Sequence, residues 1–140
     1  MSYSNPRLLF SKLVDLSTAA DNFLIAPLSD QIVIHRVGIL TGTAGSDGLI
    51  TVTFQKTVGG TGGTDTTVKA LVITAAETNA AGTSVYGDVN PPVVIGPGDY
   101  LNLLVPAETS GTASAVSYAL VEYSILERKP GDDASLTATT

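Results

Sequence analysis

A chain of 140 residues has single-domain length and can bury roughly two-thirds of the surface that its unfolded form exposes. At 44% hydrophobic and only 14% charged it is not disordered throughout, and without cysteine it has neither disulfides nor thiolate metal sites. The formal net charge of -6, with seven scattered basic residues, excludes a nucleic-acid scaffold, because neutralising phosphates requires clustered Lys and Arg.

The opening MSYSNPRLLFSKLVDL has one short apolar run, Leu8-Leu9-Phe10, before Lys12. That is too short for a signal-peptide core, and no transmembrane segment follows, so the expectation is a soluble protein made inside the cell, with no membrane partner. Residues 1–20 show little sheet pattern and read either as an arm ordered on a neighbour or as a first strand. Leu8, Leu9, Phe10 and Leu13 have no evident place in a sandwich core and are the candidate contacts with a neighbouring protein.

NFLIAP is the first clear strand. QIVIHRVGIL is apolar on both faces, Val33, Val37 and Ile39 opposing Ile32, Ile34 and Leu40, as in a central strand covered from both sides. Asp47-Gly48 in TGTAGSDG predicts a tight hairpin or bulge leading to LITVTFQKT, where Ile50, Val52 and Phe54 alternate with Thr51, Thr53 and Gln55. VGGTGGTDTT is a loop before the strand TVKALVIT. AAETNAAGTSVYGDVNPP opens with a helical turn at Ala75 to Thr78 and continues as a long connection, since Gly82, Gly87 and Pro91-Pro92 oppose a longer helix.

PVVI is a short strand, and GPGD then makes a corner, with Gly96 or Gly98 at positive φ, Pro97 fixing the turn and Asp99 closing it. YLNLLVP points Leu101, Leu103 and Val105 inward, and AVSYALVEYSILE is the longest strand. About seven or eight strands result, spaced as in an antiparallel β-sandwich over residues 21–127, with 128–140 as a flexible polar tail.

The inventory for catalysis is poor. His35 is the only histidine, it lies mid-strand, and no GxSxG elbow accompanies any serine; it reads as a side chain at a sandwich edge or a subunit interface. The GPGD corner resembles the cupin jelly roll, but the residues after it are Asp99, Tyr100, Leu101 and Asn102, so the histidine ligands of a metal-binding cupin are missing. Asp47, Asp65, Asp88 and Asp99 could offer oxygen to calcium, yet the EF-hand spacing is absent and each sits where a turn former is expected. The glycine clusters contain no phosphate-binding loop. Tyr86, Asp88, Asn90 and Tyr100 are available for a carbohydrate platform, although Trp is absent. No catalytic, cofactor-binding or metal-ligating residue is assigned.

The order of these features, IAPLSDQIVIHRVGILTGTA, then LITVTF, PPVVIGPGDYLNLLV and SYALVEYSI, resembles the small jelly-roll virion proteins of tailed bacteriophages, the decoration or cement proteins of the head. The resemblance covers roughly residues 23–126, with matching elements at Ile32 to Ile39, Ile95 to Leu103 and Ala119 to Tyr123. It implies an all-β jelly-roll sandwich with extended terminal arms and no enzymatic activity. It also implies a homotrimer on the outer surface of the capsid, made in the host cytoplasm, whose partners are the major capsid protein and itself. Leu8, Leu9, Phe10 and Leu13 would then be the capsid or subunit contacts. The alternative is another virion component: a head fibre base, a tail part or a host-glycan-binding module.

Overall fold

The computed structural model describes residues 6–59, 64–108 and 110–126. Nine strands are found among them: β1 Leu8–Val14, β2 Ala20–Ile25, β3 Gln31–Thr41, β4 Ser46–Val58, β5 Thr64–Ile73, β6 Ser84–Ile95, β7 Tyr100–Val105, β8 Ser110–Thr112 and β9 Ser117–Leu126. One sheet has the order β1-β9-β3-β6 and the other β2-β7-β4-β5, with β8 pairing to β4; all pairs are antiparallel. With β8 set aside, the chain crosses between the two sheets at every step except β4 to β5, which pair in one sheet, and this is the jelly-roll order.

Core positions follow the alternation in β4, β7 and β9. Val52, Phe54, Leu101, Leu103 and Val121 are completely or almost completely buried, and they interdigitate between the sheets. In β3 the strict alternation fails. A register break between Ile34 and Arg36 shifts the phase, so Ile32, Ile34, Val37 and Ile39 all face the core while Val33 and Leu40 face outward. The apparent two-faced apolarity of QIVIHRVGIL is therefore one core face interrupted by a bulge, next to a moderately apolar outer face.

Some expectations change and one alternative is decided. The segment after β3 is not a hairpin, because β3 and β4 belong to different sheets; it crosses between them. Of the two alternatives at Asp47-Gly48 the bulge is found: Asp47 has φ 54° at a register break against β8. Residues 84–92 are not a connection but the first part of β6, and Pro91 and Pro92 are tolerated because β6 is an edge strand and its pairing with β3 skips from Asp88 to Val93. The strand count rises to nine because Leu8–Val14 and the three-residue β8 pair as well.

Ala75–Thr78 forms the one short helix, α1, among the described residues, begun by a capping box. Thr74 Oγ1 accepts from the Glu77 backbone N–H, and a Glu77 carboxylate oxygen accepts from that of Thr74. At the GPGD corner Gly98 has φ 92° and the Asp99 N–H donates to the Gly96 carbonyl at 3.1 Å, a type II turn carrying the chain from one sheet to the other. Asp99 also accepts from the Gly59 N–H at 3.2 Å, which ties this corner to the end of β4. The expected tail, 128–140, lies outside the described residues.

Candidate assembly surface

Strand register assigns each outward side chain of the first sheet to a row across all four strands. Leu13, Tyr118, Leu40 and Ser84 form one row; Ser11, Leu120, Gly38 and Tyr86 the next; Leu9, Glu122, Arg36 and Asp88 the third. Two of these rows are mainly apolar, and Leu9 (69% exposed), Leu13 (58%) and Tyr86 (62%) stand out from the surface. Gly38 has no side chain between Leu120 and Tyr86, so the middle of the face sinks into a shallow depression of about 250 Å³.

The third row is charged and paired. Arg36 Nε donates to Asp88 at 2.6 Å and its guanidinium lies over the Tyr86 ring, 5.2 Å from the centroid, while Arg7 donates to Glu122 at 2.7 Å. The hydrogen bond it donates to Asp88 raises the Arg36 pKa. Such exposed, solvent-screened pairs add little to stability. Their effect is to leave an apolar patch bordered by compensated charges, the composition of a protein–protein contact with a polar rim.

The four N-terminal residues named from sequence do not share one face of β1. Leu9 and Leu13 point to the outer face, whereas Phe10 packs on the core and Leu8 shares its side, opposite Tyr123. Tyr118, Leu120, Leu40 and Tyr86 complete the patch, and sequence reading did not group them, because membership depends on which strands are neighbours. The alternating Leu9-x-x-x-Leu13 and Tyr118-x-Leu120 were the available signal.

His35 lies at the β3 bulge in mid-sheet, not at a sheet edge. Its Nε2 is 2.7 Å from Ser124 Oγ, a nucleophile–base spacing, but among the described residues nothing accepts from or donates to its other ring nitrogen. Burial, reinforced by Arg7 and opposed by Glu122, pushes the imidazole pKa down. The contact links β3 to β9 beside the bulge.

The calcium candidates are dispersed. Asp47 exchanges hydrogen bonds with Asn79, Asp65 accepts from Thr57, Asp88 from Arg36 and Asp99 from Gly59. No three His, Asp or Glu side chains among the described residues gather to hold a metal ion. The carbohydrate candidates also separate: Tyr86 and Asp88 lie on the outer face of the first sheet, Tyr100 on that of the second.

The chain is similar to a chain in the acidic stable capsid structure of Helicobacter pylori bacteriophage KHP30, with a TM-score of 0.55 and 11% identity over 88% of this chain and 90% of that one. What the two share is the fold. Weaker similarities, on which nothing further rests, are to the disulfide-linked pili of Bacillus endospore appendages (TM-score 0.36, 18% identity, 89% and 88% covered) and to infectious bursal disease virus, Gx strain (0.38, 16%, 85% and 29%). No protein-family model and no curated protein matches the chain.

Proposed function

We propose that this chain is a structural virion protein that binds the outer surface of a tailed-phage head and bridges capsomers as a homotrimer. The observation that carries this reading is the apolar outer face of the first sheet, where Leu9, Leu13, Tyr118 and Tyr86 stand exposed on a rigid sandwich. A contiguous apolar face of this kind is costly in water and favourable in a contact. It would be the surface through which copies associate. A fold held in common with a phage capsid chain supports the virion location. The partners are then the major capsid protein and further copies of this chain, and no catalytic group is required.

Three contacts on one rigid body act at high effective concentration, so individually weak contacts suffice for tight decoration. Light scattering at several concentrations tests the assembly state, and co-sedimentation with heads of the phage that carries the protein tests the location. A trimer that saturates the outside of those heads is expected. A strict monomer that fails to sediment with them overturns the proposal.

A further inference from the structure

The outer face of the second sheet has a different chemistry. Its register aligns Phe23, Asn102, Gln55 and Thr67 in one row and Tyr100, Thr57 and Asp65 in the next, with Asp21 beside them on β2. Phe23, half exposed, and Tyr100 form a tilted aromatic pair with ring centroids 5.1 Å apart. Beside them a recess of about 180 Å³ is lined by Asp21, Thr57, Asp65 and Asn102.

The recess is rich in acceptors and poor in donors. Thr57 has one hydroxyl hydrogen, and Asp65 at 2.6 Å takes it, leaving Asn102 Oδ1, 3.2 Å from the same oxygen, short of a donor. Asn102 Nδ2 makes only long contacts, 3.5 Å to Asp21 and 3.4 Å to Gln55 Oε1. Turning the amide over would set its oxygen against the Asp21 carboxylate, so the orientation shown is the favourable one. Asn102 and Thr57 are each 95% buried, which makes the missing donors more costly.

We propose that this recess binds a neutral saccharide. Vicinal hydroxyls would donate to Asp21, Asp65 and Asn102, while a C–H face of the sugar ring rests on Phe23 and Tyr100. Two carboxylates and a net charge of -6 disfavour sialic and uronic acids. A cation alone would leave the aromatic pair without a role.

The test is NMR titration of the full chain with glucose, galactose, mannose and N-acetylglucosamine, each to about 50 mM, the range in which single-sugar sites saturate. N-acetylneuraminic acid and calcium chloride are run in parallel. Shifts centred on residues 21–23, 55–57 and 100–102 with at least one neutral sugar are expected. Phe23→Ala, at an exposed position, should weaken binding roughly tenfold with an unchanged melting temperature, and Asp65→Asn should weaken it while keeping the fold. Absence of shifts with every neutral sugar, shifts with calcium alone, stronger binding of N-acetylneuraminic acid, or neutral-sugar binding unchanged in both variants would each overturn the proposal.

Discussion

Replacing Leu9 and Leu13 together by serine isolates the outer face of the first sheet from the core. Leu9 is 69% and Leu13 58% exposed on the edge strand β1, so the double variant should fold and melt like the parent. Fully burying a leucine contributes about 1.5 to 3 kcal/mol, and only the part still exposed is available to a contact. Scaling by those exposures leaves roughly 1 to 2 kcal/mol per side chain, or about 2 to 4 kcal/mol for the pair at each contact. That corresponds to association weakened by roughly 30-fold to several hundred-fold. Light scattering across a concentration series, with melting by circular dichroism as the folding control, reads this out. If the variant assembles at the same concentrations as the parent, the apolar face is not the subunit contact and the reasoning fails.

Three further outcomes follow from particular residues. A Cβ at Gly98 would meet nothing within 4 Å, so Gly98→Ala tests φ 92° alone and should cost about 1 to 2 kcal/mol in urea unfolding, with Gly98→Asn costing less; an alanine variant as stable as the parent would contradict the turn. At Gly38 a Cβ would lie 2.9 Å from Tyr86 Cβ and 3.0 Å from the Val85 carbonyl, so Gly38→Ala should lose about 1 to 3 kcal/mol by forcing β6 away from β3, and an unchanged urea midpoint would show that the strands give way freely. Because the folded His35 pKa lies below its unfolded value of 6.5, the unfolded chain binds more protons: its stabilising contribution is complete above that value and is lost as pH falls through the folded one. His35→Gln should therefore melt with a shallower pH dependence between about pH 7.5 and about pH 5, and parallel curves for the two proteins would count against a depressed His35.

Much of the fold was legible where one strand carries its own pattern. Ile50, Val52 and Phe54 alternate with threonines, and Leu101, Leu103 and Val105 alternate around Asn102 and Leu104, so their inward faces could be assigned without knowing a partner. The Gly-Pro-Gly-Asp spelling likewise carries its turn locally. What was not legible depended on pairing between distant segments. The β3 bulge at His35 changes which valines and isoleucines face the core, and Pro91-Pro92 suggests a loop until β6 is seen to be an edge strand whose pairing breaks there. The apolar outer face was half legible: Leu8, Leu9, Phe10 and Leu13 were picked out as one set, of which Leu9 and Leu13 face outward, and Tyr118, Leu120 and Tyr86 join them only because β9 lies between β1 and β3.

The same dependence on register makes the two outer faces unlike each other. A sandwich that stood alone in water would gain from polar side chains on both, and the second sheet has them: Thr51, Thr53, Gln55 and Thr57 line the outer side of β4. On the first sheet the equivalent positions hold Leu9, Leu13, Leu40, Tyr118 and Leu120, and the charges that do occur there are already paired with one another. The second sheet does expose Phe23 and Val72, but its outer rows are mostly polar, whereas on the first sheet the apolar residues fill adjacent rows. The asymmetry fits a body with one side turned toward neighbouring proteins and the other toward solvent. Association through the apolar face and saccharide binding on the polar face would then be separable, each abolished by substitutions that leave the other intact.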